Sequence, residues 1–207
     1  MKTFAALALA FFAHSLSLSA LTPDEALIRL QEGNSRYMKD QFTCPDRTQI
    51  RREAVSSKQT PFAVIVGCSD SRVSPEILFD QGVGDLFVVR VAGNVVGAIE
   101  LDSIDYSVIY LGSKLIMVLG HENCGAVQAV LDGTTKDIET VAKLIAPAIK
   151  DDHKLDTAVK ANVEQVVKQL QESKVIAPLL QAGKVKVVGG YYNLISGKVE
   201  LLPAGNS

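Results

Sequence analysis

Two short stretches of this 207-residue chain concentrate side chains able to do chemistry: Gly67-Cys68-Ser69-Asp70-Ser71-Arg72 and Gly120-His121-Glu122-Asn123-Cys124-Gly125. Each follows an apolar run of strand length. If the chain stays extended past Gly67, side chains 68, 70 and 72 point the same way, because strand side chains alternate with a period of two. His121 and Cys124 are three apart, a spacing that places both on one face of a helical turn. Two thiolates and one imidazole converge if the two stretches face each other. Such a borderline-soft donor set suits tetrahedral zinc, and three protein ligands leave the fourth position to water, which is the mark of a catalytic site. A fourth protein ligand would have to be Cys44 or His153, both in loop-like sequence away from the strand ends, or Asp70 itself.

Singly, these residues have ordinary explanations. A cysteine at a strand end is commonly a small core residue, and Asp and Arg two apart in a turn commonly form a structural ion pair. Their joint occurrence at two strand ends favours a metal site. A phosphatase-like thiol would need a glycine-rich loop with a trailing arginine at a helix N-terminus, and Asp70, between Cys68 and Arg72, would repel phosphate. Ser69 and Ser71 lack the nucleophile-elbow pattern of a hydrolase.

The elements that must position these residues read as an alternation of strands and helices. Thr22-Pro23-Asp24-Glu25 combines an N-cap, a proline at the first helical position and an acid three residues after the cap, which predicts a helix to about Lys39. Polar loop and a short helix fill Phe42 to Gln59. Apolar runs then recur as FAVIV, LFVVRVA, KLIMVLG and VKVVGG. They lack clean in/out alternation, which predicts a parallel sheet covered on both faces. Helices are expected from Ser74, over Gly97 to Gly112, Ile138 to Lys150 and Thr157 to Ser173, and a terminal hairpin with its turn near Ser196-Gly197. The fold class is therefore α/β: a mainly parallel central sheet flanked by helices, with an antiparallel C-terminal edge hairpin. Ligands of open α/β sheets collect beyond the carboxyl ends of the strands, where both hexapeptides fall.

Composition agrees with one globular domain, being 47% hydrophobic and 21% charged, and a formal charge of -2 leaves no electrostatic footprint for nucleic acid. Residues 1–20 place Lys2 before an apolar core from about Phe4 to Ala13 and then small residues at Ser17, Ser19 and Ala20, the pattern of a secretory signal peptide. That core is shorter than the roughly 20 residues of a permanent membrane span. The expectation is export to the periplasm or beyond, with residues 21–207 as the single mature domain and no stable membrane insertion after cleavage. The odd number of cysteines, Cys44, Cys68 and Cys124, means that at least one thiol has an occupation other than pairing.

CSDSRV, DLFVVRVAGNVV and GHENCGAV together resemble the β-class carbonic anhydrases, over a span from about Thr22 to Leu202. The resemblance implies a mainly parallel sheet flanked by helices, assembled as a homodimer or tetramer with active sites at the dimer interface. It implies zinc on Cys68, His121 and Cys124, an Asp70/Arg72 dyad, a Gln59 that hydrogen-bonds substrate or bicarbonate, and Phe87 and Tyr106 lining the carbon dioxide pocket, part of that lining coming from the partner subunit. Asp70 would either orient the attacking hydroxide while Arg72 keeps it ionised, or, in a closed state, become the fourth zinc ligand. Two thiolates donate more charge than imidazoles, so hydration is expected to improve in alkaline conditions. Two departures stand out: RVAGN replaces the commoner RNxAN, which reshapes the wall near Ala92 and Gly93, and Ile65 replaces a tryptophan used by members with a regulatory bicarbonate site. The implied reaction is reversible hydration of carbon dioxide to bicarbonate and a proton. Hydrolysis of carbon disulfide or carbonyl sulfide at the same zinc, and a non-catalytic zinc-stabilised binding protein, are the competing readings.

Overall fold

The computed structural model describes residues 21–149 and 154–203. Residues 1–20, on which the signal-peptide expectation falls, and His153 lie outside the described residues. The chain opens with α1 (Pro23–Met38), whose Thr22 hydroxyl accepts from Glu25 N at 3.2 Å while Thr22 N donates to the Glu25 carboxylate at 2.7 Å. That reciprocal pair is the capping box expected from the sequence. After α2 (Gln49–Val55) the chain enters β1 (Ala63–Gly67), turns through α3 (Pro75–Leu78) into β2 (Leu86–Arg90), and crosses by α4 (Ala98–Tyr106) to β3 (Leu115–His121). Then come α5 (Gly125–Leu131), α6 (Glu139–Ile145), α7 (Leu155–Gln171), α8 (Ile176–Gln181), β4 (Lys186–Tyr192) and β5 (Val199–Leu201).

The five strands lie in the order β2-β1-β3-β4-β5. The first three pairings are parallel and β4–β5 is antiparallel. Both faces are covered, which is why the strand sequences are apolar throughout. Val64, Val66, Ile116 and Val118 pack on one side against Ile104 of α4 and Val163 of α7. Ala63, Ile65, Leu115 and Met117 pack on the other against Leu30 of α1 and Phe79. Each large side chain buried this way contributes about 1.5–3 kcal/mol. Gly120 lets α7 press close to β3, since a Cβ there would meet Val163 Cγ2 at 2.6 Å.

Several boundaries differ from the sequence expectation. The crossover helix to Gly112 is α-helical only to Tyr106 and then widens to a π-helical turn over Ser107–Leu111, ending at Gly112 with φ 78°. The helix expected over Ile138 to Lys150 gives way after Ile145 to a 3-10 turn, Ala146–Ala148, at Pro147, which has no N–H to continue the ladder. Helices α5 and α8 were not anticipated. The first is a two-turn segment with no side-chain cap on its leading residue, and the second contains Pro178. Among the described residues no helix is long and apolar enough to cross a membrane.

Candidate metal centre

Strands β1 and β3 are direct neighbours, with Gly67 in register with Leu119, so the two hexapeptides leave the sheet at the same edge. Local geometry differs from the simplest sequence reading at both. Strand β1 ends at Gly67, and at Asp70 a turn closed by Val73 N donating to Asp70 O at 3.0 Å reverses the chain. Arg72 therefore meets Asp70 by folding back and not by strand alternation. His121 is the last residue of β3, and Cys124 is the residue that caps α5. Between them Asn123 adopts φ 53°, so a tight turn, and not one face of a helix, brings the pair together.

The ligand atoms of Cys68, His121 and Cys124 lie within 4.8 Å of one another, and all three residues are buried. The His121 ring is oriented by Nδ1, 2.8 Å from the Glu122 carbonyl, which makes Nδ1 the protonated nitrogen and turns the Nε2 lone pair toward the sulfurs. Nε2 is buried with no hydrogen-bond partner among the described residues. Cys68 Sγ accepts from Gly93 N at 3.3 Å. The thiol hydrogen bond from Cys124, opposed by burial and helped by His121 and the Gly93 and Asp70 backbone, holds Cys68 well below the ordinary thiol range. Cys124 moves the opposite way, because Cys68 and burial both oppose a second negative charge there. Burial pulls His121 down, but the Cys68 sulfur outweighs it and the net shift is upward. Two sulfurs competing for one proton beside an orphaned imidazole nitrogen are the signature of a cation site: a divalent ion would satisfy all three donors at once.

Asp70 stands beside this trio. Arg72 grips its carboxylate with Nε to Oδ1 at 2.9 Å and Nη2 to Oδ2 at 2.7 Å, and the Arg72 N–H also donates to Oδ1 at 2.9 Å. These bonds hold Asp70 down at about 2. Its Oδ2 is 3.8 Å from His121 Nε2. Arg72 Nη2 additionally reaches Asn123 O at 3.3 Å, tying the two hexapeptides together.

The surrounding shell contains residues that sequence reasoning passed over. Arg90, at the end of β2, donates from Nε to Cys68 O at 3.0 Å and from Nη2 to Asp70 O at 2.7 Å, clamping the β1 exit by its backbone. Glu122 accepts from Asn193 Nδ2 and Leu194 N, which anchors the β3 exit to the chain beyond β4. RVAGN, noted as a departure, forms a 3-10 turn over Ala92–Asn94 that delivers the Gly93 N–H to Cys68. Its only mark in the sequence is the adjacent Gly93-Asn94 pair, and both residues take positive φ in the structure.

Other expected residues fall elsewhere. Phe87 pairs with Val64 near the start of β1, roughly 13 Å of strand from Cys68. Tyr106 packs beside Phe87 with ring centroids 6.4 Å apart. Gln59 is exposed, two residues ahead of Pro61, whose carbonyl accepts from Ser113, two residues before β3. Within one chain, then, Gln59, Phe87 and Tyr106 gather toward the amino ends of the strands, away from the trio. Cys44 is exposed in the α1–α2 loop, with its N–H donated to Asp80.

The profile of the family described as carbonic anhydrase matches residues 63–199. A carbonic anhydrase of Mycolicibacterium smegmatis is 40% identical, over 86% of this chain and 93% of its own. Among solved structures, the β-carbonic anhydrase of Coccomyxa in complex with acetazolamide shares 30% identity at a TM-score of 0.62, covering 85% of this chain and 86% of that one. The β-carbonic anhydrase CcaA shares 26% at 0.65, covering 84% and 94%.

Proposed function

This chain belongs to the β-class carbonic anhydrases, and from that premise we propose how its own residues carry the reaction. The protein is a zinc lyase that interconverts carbon dioxide and water with bicarbonate and a proton. One observation carries the assignment: three ligand atoms from two neighbouring strand ends lie within 4.8 Å of one another. Cys68, His121 and Cys124 would hold zinc there, which would supply a hydroxide nucleophile near neutral pH by acidifying water. Asp70 accepts a hydrogen bond from the nucleophile and so aims a lone pair at the substrate. Arg72 keeps Asp70 ionised and engaged, the open form; releasing that grip would leave Asp70 free to act as a further ligand for zinc and stop turnover. The experiment is hydration of carbon dioxide by zinc-loaded protein, by chelator-stripped protein and by Cys68→Ala. Turnover that needs both zinc and Cys68 supports the reading, and turnover indifferent to either contradicts it.

The substrate pocket is completed by a second copy of the chain. Strand β2 is a sheet edge whose backbone is open to pairing or cover. Beside it, α4 and its π-helical extension expose Ile99 (78%) and Tyr110 (76%), with Tyr106 and Ile109 half exposed. Such an apolar face on an α/β domain marks an association surface. The same face carries Phe87 and Tyr106, so a homodimer formed across it would bring these rings, and Gln59, toward the partner's metal centre. Two such dimers would give a tetramer.

Export is the reading for the first twenty residues, on the strength of Lys2, the apolar run and the small residues at Ser17, Ser19 and Ala20. The mature protein would then begin at Ala20 or Leu21 and work in the periplasm or outside the cell. N-terminal sequencing of the native protein tests this: a start at Met1 or Lys2 in the fractionated cytoplasm would contradict it.

A further inference from the structure

Helix α7 buries one polar side chain in an otherwise apolar face. Val159, Val163, Val166 and Leu170 point inward from it, and among them Asn162 is fully buried. A buried amide is unfavourable unless it is hydrogen-bonded. Asn162 Nδ2 donates to Gly93 O at 2.8 Å, while Oδ1 has no partner among the described residues. Packing does not require an amide at this position; the bond to Gly93 does.

Gly93 is where that bond meets the metal centre. It adopts φ 70° within the turn Ala92–Asn94, and its N–H donates to Cys68 Sγ at 3.3 Å. The turn is pressed against α6 so closely that a Cβ at position 93 would lie 2.7 Å from Ile145 Cδ1. One residue therefore carries both bonds, its carbonyl held by α7 and its N–H on a ligand sulfur.

We propose that Asn162 is a positioning residue for the metal centre: by fixing the Gly93 carbonyl it keeps the Gly93 N–H on the Cys68 sulfur and so limits how much charge that sulfur gives to a bound metal. The proposal rests on Cys68 being a zinc ligand. An N–H···S bond draws charge from a thiolate, and partners of this outer kind tune both metal affinity and the acidity of water at the site. Without the bond to Asn162 the turn loses its anchor on α7, the sulfur becomes the stronger donor, and hydration shifts to higher pH.

The test compares wild type with Asn162→Leu, which keeps the size and removes the donor, and with Val166→Ala, which loosens the same helix face one turn away without touching Gly93. In cobalt-substituted protein, Asn162→Leu shifts the sulfur-to-cobalt charge-transfer band to longer wavelength. Because Cys68 is no longer held in place by the anchored turn, a loss that outweighs the stronger sulfur donor, the substitution also raises the zinc dissociation constant about tenfold in chelator competition and moves the midpoint of the hydration pH profile upward. Val166→Ala lowers thermal stability and leaves band and midpoint where they are. If Asn162→Leu loses only stability, with band, affinity and midpoint as in wild type, Asn162 is a packing residue and the proposal fails. Should Asn162→Leu fail to fold, wild type loaded with NMR-active cadmium decides: a through-bond coupling between the Gly93 amide proton and the metal supports the proposal, and its absence overturns it. Wild type that binds no zinc at all would overturn the metal assignment instead, so the two failures are distinct.

Discussion

Arg72 touches Asp70 with three hydrogen bonds yet leaves the metal ligands alone, so its removal separates charge control from metal binding. Arg72→Ala should retain zinc and lose hydration activity by about 10–100-fold, the usual cost of deleting an outer partner of a metal site. Full activity in a zinc-replete variant would contradict the dyad. Removing zinc exposes a second residue-scale property. The Cys68 and Cys124 sulfurs then lie side by side with Cys68 the more acidic, so Cys68 is the thiol that ionises and reacts. Apo-protein exposed to a mild oxidant should lose two titratable thiols as a Cys68–Cys124 disulfide and keep Cys44, whereas zinc-loaded protein should keep all of them over the same interval. The side chains of this centre were legible in the sequence because two hexapeptides concentrate thiol, imidazole, carboxylate and guanidinium at matching strand ends. Arg90, Gly93 and Asn162 were not, because they act through backbone carbonyls and amides, and no residue type announces which carbonyl it will hold.

The elements that carry the hexapeptides were read well where burial decides them. All four long strands were anticipated, since a sheet covered on both faces imposes apolar runs that no other element needs at that length. Ends set by turn geometry were not: the reversal at Asp70, the Asn123 turn and the π-helical turn after Tyr106 depend on contacts distant in sequence. The α1–α2 connection shows how such a loop is pinned. Asp80 is fully buried, accepting from Arg36 Nε at 2.7 Å, from Thr43 N and Oγ1, and from Cys44 N. Burial pushes its carboxyl up, but these donors outweigh it and hold it well below the usual range. Because the folded state favours the charged form, this stability is complete above the ordinary carboxylate pKa of about 3.9 and drains away as pH falls below it. Asp80→Asn should cost about 3 kcal/mol at neutral pH and flatten the acid limb of the stability curve, as followed by urea unfolding at pH values on both sides of the carboxylate range. An acid limb identical to that of wild type would contradict this role.

At the scale of the whole molecule the proposed homodimer follows from the place of Phe87 and Tyr106, which lie at the amino ends of the strands beside an exposed apolar helix, away from their own chain's metal centre. A charged residue in that face, Ile99→Glu or Tyr110→Glu, should give a monomer by light scattering that still binds zinc through its own Cys68, His121 and Cys124. Its hydration rate should fall by about a hundredfold, as expected when substrate is no longer positioned. A monomer with undiminished turnover would show that the pocket is complete within one chain. The expectation of assembly comes only from resemblance to a family. The chain's own sequence scatters Ile99, Tyr106 and Tyr110 along one helix, where they read equally well as core until the structure shows them facing outward.

The central claim is that two sulfurs and one imidazole hold a zinc ion with one position left for solvent or substrate. X-ray absorption at the zinc edge of the loaded protein tests it most directly. The account predicts one ion per chain with two sulfur neighbours at about 2.3 Å and two lighter neighbours at about 2.0 Å, and loss of one sulfur shell in Cys68→Ala. A sphere without sulfur, or one unchanged by that substitution, would contradict it.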